Sequence, residues 1–488
     1  MYDKVPNNMN FVEREVQVEK YWKDNDIFGK SIKAREGAPV FTFYDGPPTA
    51  NGKPHIGHII TRAVKDLIPR YKTMKGFLVK RKAGWDTHGL PVELGVEKEL
   101  GITKEDIGKT ISIEEYNDHC RKNVMKYTAE WEDLSRKMGY WVDMAHPYIT
   151  YENYYIESVW WLLAQMYKKG LVYKGYTIQP YSPAAGTGLS SHELSLPGCY
   201  RDVKDTTVTA QFKIVNPLGE LSQWGTAYFL AWTTTPWTLA SNTALCVGPN
   251  IDYVTVRTYN PYTGKPVTVI MAEERLAAYL DPKGADIPLE DYKKGDKVIP
   301  YSVVAKCKGT ELEGMHYEQL MPYVNPGEGA FRVILGDYVT TEDGTGIVHI
   351  APTFGADDAF VAKAAGVPPL MIVDKNGLER PLVDLQGRFY RLEDIDEAFK
   401  RERMNTELYS VYAGRYVKNA YDDTLTDKDE TLDVSICMDL KQNDKAFKIE
   451  KHVHSYPHCW RTDKPILYYP LDSWFIRSTA KKERMSEL

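Results

Sequence analysis

Cysteine is scarce. Six thiols in 488 residues, Cys120, Cys199, Cys246, Cys307, Cys437 and Cys459, include no C-x-x-C pair, so a disulfide framework is excluded and a reducing compartment is expected. Long hydrophobic runs are missing as well: no stretch approaches the ~20 apolar residues a membrane helix needs. The opening Met1-Tyr-Asp-Lys-Val-Pro-Asn-Asn has no basic segment leading into an apolar one, so no secretory signal is expected and the chain reads as soluble and cytoplasmic, without a membrane partner. Excess basic charge is also lacking, with 61 Lys and Arg against 67 Asp and Glu. Nucleic-acid binding would therefore need a local basic track, because affinity follows the phosphates neutralised rather than net charge. Core material is ample: 43% hydrophobic and 12% aromatic residues exclude global disorder, and the length suits about three domain equivalents at roughly 150 residues each.

Asn10 followed by Glu13 resembles a capping box opening a helix, with Val18, Tyr21 and Trp22 on an inward face. Val40 to Tyr44 is a short apolar run suited to a strand buried on both faces, stopped by Asp45-Gly46-Pro47-Pro48. Helical spacing follows from Ile56 to Met74, with a kink expected at Pro69, and Phe77 to Arg81 reads as a second strand. This is a strand, helix, strand unit. Helical spacings occupy Gly101 to about Leu171, and Val172 to Pro180 is extended. From about Val203 to Ile350 short β-prone runs alternate with Gly, Pro, Asn and Asp, with Val208, Ala210, Phe212 and Ile214 on one face. A separate β-rich domain is expected there. The acidic stretch Asp422 to Asp433 reads as a solvated loop.

Pro54-His55-Ile56-Gly57-His58 lies where the first strand's loop enters its helix. His55 and His58 are three apart, so both imidazoles can leave the first turn on one side, where free N–H groups and the positive dipole end favour an anion. Gly57 lets a ligand approach the backbone. Taken alone, two histidines in a helix are more often surface or structural residues. Two long blocks change that: Asp45-Gly-Pro-Pro-Thr-Ala-Asn-Gly-Lys-Pro-His-Ile-Gly-His58 and Gly84-Trp-Asp-Thr-His-Gly-Leu-Pro-Val-Glu93. Two more follow, Trp232-Thr-Thr-Thr-Pro-Trp-Thr-Leu239 and Gly344-Thr-Gly-Ile-Val-His-Ile-Ala-Pro352, the latter continuing to Asp357-Asp358. Together the four resemble the class I aminoacyl-tRNA synthetases, and in wording the isoleucine branch of that family.

The resemblance implies an α/β, Rossmann-like catalytic half-domain interrupted by a β-rich editing domain, divided as 1–200, 201–455 and a truncated return at 456–488. It implies ATP-dependent activation of L-isoleucine, transfer to tRNA(Ile), and hydrolysis of mischarged valyl-tRNA(Ile). His55, Gly57 and His58 would hold the ATP phosphates, Gly46 and Pro47 would line the amino-acid pocket, Asp86 would take the substrate ammonium, and Trp474 would cover the pocket. ATP is expected with Mg²⁺. A second site is needed because valine lacks one methylene, worth only ~1–3 kcal/mol in a hydrophobic pocket, a limit for which the isoleucine enzymes are themselves the standard example. There Asp358 would anchor the amine, Thr233, Thr234 and Thr235 would grip the adenosine and orient water, with Thr238 and Asn242 close behind, and His349 would wall the pocket. Without the resemblance, a threonine run is β-propensity and a lone histidine a satisfied core residue.

His452, His454, His458 and Cys459 are dense but misspaced for a finger or ribbon. Relatives often carry C-x-x-C pairs flanking the insertion; here Cys459-Trp-Arg-Thr462 keeps one thiol and Tyr181-Ser-Pro-Ala-Ala185 none, so no structural zinc is expected. No Lys-Met-Ser-Lys-Ser-like loop occurs. The expectation is therefore an amino-terminal portion of a longer enzyme, a monomer, weak in activation by itself, with editing the activity retained. The alternatives are a stand-alone deacylase or tRNA-binding protein, an inert remnant, and a valine enzyme of the same architecture.

Overall fold

The computed structural model describes residues 8–215, 226–426 and 428–487. It divides into two compact units, one running to Tyr173 and resuming at Ile476, the other comprising Lys174–Phe475. The second unit is wider at both ends than 201–455.

The first unit contains α1 (Phe11–Asp24), α2 (Ile27–Lys33), β1 (Phe43–Tyr44), α3 (Ile56–Met74), β2 (Arg81–Trp85), α4 (Leu90–Leu100), α5 (Ile113–Val124), α6 (Thr128–Lys137), β3 (Asp143–Ile149) and α7 (Asn153–Lys168). The three strands are parallel, in the order β1-β2-β3. Parallel neighbours need a crossover, which α3 supplies between β1 and β2. Asn10 caps α1, its side chain accepting from the amides of Val12 and Glu13. The packed centre forms where Trp85 meets Trp131 and Ala50, and where Ala83 meets Tyr140 and Val142.

Several sequence expectations are corrected here. β1 is only two residues long and lies at the sheet edge, with Val40 and Tyr44 exposed rather than buried on both faces. Strand pairing on β2 begins at Arg81, with Leu78 contributing one isolated bridge to Val40. The stretch read as continuously helical harbours β3, whose Asp143-Met-Ala-His-Pro-Tyr-Ile149 has little β-branching to announce it. Val18 and Tyr21 are exposed; Trp22 alone of that trio packs inward, edge-on to Trp141 at 5.0 Å. Pro69 lies inside α3, where the sequence places it, and the helix continues to Met74.

The second unit is built from β4 (Val172–Ser182), β5 (Thr187–Gly188), β6 (Tyr200–Lys213), β7 (Ala227–Thr233), β8 (Ala244–Val247), β9 (Asp252–Tyr259), β10 (Pro266–Ala272), β11 (Ser302–Lys308), β12 (Arg332–Leu335), β13 (Ile347–Ile350), β14 (Met371–Val373), β15 (Glu379–Pro381), β16 (Ala446–Pro457) and β17 (Leu467–Ile476). Among the described residues the main sheet has the order β11-β9-β10-β7-β6-β16, beside smaller sheets β12-β8-β13, β14-β15 and β17-β4-β5. Val208, Ala210 and Phe212 face the main core as their alternation requires. The opposite face of β6 is buried too, because Gln211 and Thr209 find partners: Gln211 donates to the Asp444 carbonyl at 2.9 Å and accepts from Asn260 at 2.9 Å, and Thr209 meets the Tyr279 hydroxyl at 3.3 Å. Such pairing is what permits polar side chains inside a core. The acidic stretch is corrected at its end: Asp433 is buried, not solvated.

Candidate functional site

The first site is built by the loop between β1 and α3. His55 is the N-cap of α3, and its Nδ1 accepts from the Gly57 amide at 3.2 Å, while the His55 amide donates to Nδ1 of His58 at 3.0 Å. Each ring therefore spends Nδ1 as an acceptor, which fixes the neutral tautomer with its proton on Nε2. Desolvation, with His55 and Arg62 nearby, pushes the His58 pKa down and reinforces this state. The rings lie 3.8 Å apart, so two Nε2–H donors leave the first turn together. A Cβ at Gly57 would press on the His55 ring at 3.0 Å.

A cavity of about 490 Å³ opens at this turn, lined by Gly46, Pro47, His55 and His58 and by the cations Lys53, Arg62 and Lys65. Its floor is well anchored. Lys65 reaches Asp45 at 2.8 Å and the Gly46 carbonyl at 2.9 Å, and the Trp131 indole donates to the Gly52 carbonyl at 2.9 Å. Arg62 donates to Ser135 at 2.9 Å and stacks over Trp131 and Tyr140 at 5.1 and 5.2 Å. Asp86, just past the end of β2, is half-buried; its amide donates to the Pro48 carbonyl at 3.0 Å, tying it to the cavity's loop.

The second site lies in the β-rich unit, where a cavity of about 320 Å³ is lined by Thr233, Thr234 and His349 with the turn from Asp343 to Gly346 and Tyr338. Thr233 ends β7 and His349 is on β13, so two strands far apart in sequence supply facing walls. The hydroxyls form a chain, with Thr233 Oγ1 3.3 Å from Thr235 Oγ1 and Thr235 Oγ1 3.3 Å from Thr238 Oγ1, and the backbone of Thr235 ties it down: its amide donates to Thr233 Oγ1 at 3.1 Å and its carbonyl accepts from Thr238 Oγ1 at 2.8 Å. Having spent its proton, Thr238 Oγ1 must accept from His349 Nε2, 3.0 Å away. That leaves His349 Nδ1 as a buried acceptor with no protein partner. Burial pushes the His349 pKa down to about 4, so the ring is neutral.

The remaining editing candidates sit elsewhere. Asp358, on the helix Ala356–Ala365, does not line this cavity; it accepts from the Ala351 amide at 2.9 Å, two residues beyond His349. Burial pushes its pKa up to about 7, the Ala351 amide opposing and Asp357 adding to the shift. Asn242 is consumed structurally, donating to the Ala244 carbonyl at 2.8 Å and accepting from Tyr317 at 2.7 Å. Trp474 is exposed near the end of β17. His454 meets Asp205 at 3.2 Å, His458 Nδ1 faces the Tyr456 carbonyl at 2.9 Å, and among the described residues no group of three or more His, Cys, Asp or Glu is arranged to hold a metal ion.

The family model for tRNA synthetases class I (I, L, M and V) matches residues 17–487. The chain belongs to that family. Class I synthetases similar to it include the isoleucine-tRNA ligase of Bacteroides fragilis, 72% identical over 469 residues, which are 96% of this chain and 41% of that protein. That of Porphyromonas gingivalis is 68% identical over 95% of this chain and 41% of its own, and that of Cytophaga hutchinsonii 58% identical over 100% and 43%. The chain thus spans about two fifths of the length of the curated relatives it matches. The solved structure of GlLeuRS-CP1 covers 51% of this chain and 100% of its own at 16% identity, with a TM-score of 0.30, too low to bear on the fold.

For this synthetase chain, motif reading missed the cations of the first cavity. Arg62 and Lys65 follow His58 at four and seven residues, a helical stripe visible in the sequence. Tyr338 and Asp343 at the second cavity had no local signal, since only strand pairing brings them near Thr233.

Proposed function

We propose that this chain is part of an isoleucine-tRNA ligase that activates L-isoleucine with ATP, transfers it to tRNA(Ile), and hydrolyses valyl-tRNA(Ile) in the β-rich unit. The observation that carries the reading is the small cavity where the Thr233 to Thr238 hydroxyl chain meets a neutral His349. Similarity to isoleucine-tRNA ligases, at 72% identity, supports the isoleucine assignment.

In activation, the substrate carboxylate attacks the α-phosphate and pyrophosphate leaves. The Nε2–H groups of His55 and His58 donate to phosphate oxygens as charge grows, and Lys53, Arg62 and Lys65 supply positive potential without proton transfer. Magnesium enters with the nucleotide as part of the substrate. Asp86 receives the amino group of isoleucine, with Gly46 and Pro47 against its side chain.

In editing, the threonine hydroxyls hold the terminal ribose and the attacking water, and His349 Nδ1 offers an acceptor to one O–H of that set. The wall formed by His349 limits side-chain size, so the smaller valyl ester enters. Asp358 is the partner proposed for the amine from outside the cavity lining, where it accepts from the Ala351 amide just past His349; an ammonium beside it would bring its raised pKa back down.

The test combines pyrophosphate exchange by the complete enzyme with deacylation assays. Asp358→Ala should leave isoleucine activation unchanged while valyl-tRNA persists. Normal clearance of valyl-tRNA by that variant removes the anchor role, and exchange stimulated by valine more than by isoleucine removes the isoleucine assignment.

A further inference from the structure

The editing reading leaves one buried cluster in the β-rich unit unused. Asp433 opens the helix Leu432–Gln442, is 3% exposed, and sends Oδ1 to the Trp237 amide at 3.0 Å across 196 residues of sequence. Its other oxygen lies 3.6 Å from Lys418, whose ammonium is 2.9 Å from Asp205 on β6 and 4.8 Å from the Tyr456 ring. His454 on β16 meets the same Asp205 oxygen. A carboxylate this deeply buried needs both hydrogen bonds and a counter-charge, and here it has both.

The position of the bonded amide gives the cluster its meaning. Trp237 is the second residue of the 3-10 helix Pro236–Ser241, which begins directly after Thr233, Thr234 and Thr235 and contains Thr238. Thr235, the residue before this helix, offers it no side-chain cap. Pro236 has no N–H to give, so the Trp237 amide is the first donor of the turn, and Asp433 takes it from a remote helix. The Trp237 ring then meets Phe354 edge-on at 4.9 Å, and Phe354 lies in the stretch between His349 and Asp358. One hydrogen bond thus fixes the turn from which the threonine chain projects and the wedge that touches the opposing wall.

We propose that Asp433, paired with Lys418, which Asp205 in turn holds, is a positioning residue for the editing cavity: it sets the Thr233 to Thr238 segment against His349 through the Trp237 amide. This rests on the editing reading above. Misplacing catalytic groups by an ångström costs on the order of a hundredfold in rate. The bond rather than the charge should matter, because an amide oxygen at this position can still accept from Trp237 N–H.

The experiment uses the full chain. Valyl-tRNA deacylation is measured for wild type, Asp433→Ala and Asp433→Asn, together with backbone hydrogen exchange across residues 233–241. Asp433→Ala should lower kcat about tenfold to a hundredfold with KM within about twofold, and speed exchange in that segment, while Asp433→Asn should stay within about threefold of wild type on both readouts. Asp433→Ser, too short to reach the amide, replaces the alanine variant if that one does not fold. Unchanged kcat and exchange in Asp433→Ala overturn the proposal, and so does equal loss in the alanine and asparagine variants, which would assign the effect to charge pairing. A wild-type chain that hydrolyses no valyl-tRNA removes the editing reading, and the exchange measurement then decides the positioning role by itself.

Discussion

Thr238→Val tests the hydroxyl chain most directly, since it keeps the side chain's shape and deletes one oxygen. That oxygen donates to the Thr235 carbonyl at 2.8 Å and accepts from His349 Nε2 at 3.0 Å. The Thr235 carbonyl retains a second donor, the Thr238 amide at 3.0 Å, so its loss is small, about 0.5–1 kcal/mol. His349 fares worse. Its Nδ1 already lacks a protein partner and the ring is 8% exposed, so the variant strands an N–H in a buried site at about 1–3 kcal/mol. The sum, roughly 1.5–4 kcal/mol, corresponds to a fall in melting temperature of about 2–6 °C for a unit of roughly 300 residues. Thr238→Ser keeps both bonds and loses one methyl, about 1 kcal/mol. Deacylation should fall on the order of tenfold or more in the valine variant, because the untethered ring no longer holds the wall, and by much less in the serine variant. Thermal scans and release of labelled valine from tRNA measure the two arms. Valine and serine variants that match in both would refute the tether.

His349 also predicts a pH dependence of stability. Its folded pKa, about 4, lies below the ~6.5 of an exposed imidazole, so its contribution is complete above pH 6.5 and is lost as pH falls from there towards 4, by about 3 kcal/mol in all; His349→Gln should flatten that part of the melting profile, and an unchanged slope would contradict a buried neutral ring. Gly346 has φ +73° and an added Cβ would run into that of Ala272, so Gly346→Ala should cost about 2–4 kcal/mol and slow deacylation; a wild-type melting temperature would contradict this. Arg62→Ala should raise the KM for ATP in pyrophosphate exchange and lower stability by about 2–4 kcal/mol, having lost the Ser135 bond and two aromatic faces, and Arg62→Lys should not restore the wild-type KM because an ammonium cannot stack in the same way. Wild-type KM in the alanine variant would separate Arg62 from the nucleotide.

The loops that carry chemistry were the most readable parts of the chain. Asn10 and the His55 to His58 turn declared themselves by short-range rules, because a cap and its first turn lie within four residues of each other. β3 hid because Met144, Ala145, His146 and Pro147 have no strand preference, and pairing with β2 rather than propensity makes the segment extended. Exposure of Val40 and Tyr44 was hidden for a related reason: an apolar run announces a strand but not its place at the edge of a sheet. Asp433 is the sharpest case. Its acidic neighbourhood reads as solvent-facing, and nothing nearby reveals that Lys418 and the Trp237 amide await it.

The long ladder between β6 and β16 has an architectural result. Pro457 faces Tyr200 in its register, and just outside it the His458 amide donates to the Cys199 carbonyl at 2.7 Å. The strands that lead into and out of this large excursion are thus zipped along their length, like the stem of a stem-loop. Because the two ends are neighbours, the excursion can lengthen, shrink or be exchanged between chains while its points of attachment stay where they are, and a short peptide joining them would close the gap left by its removal.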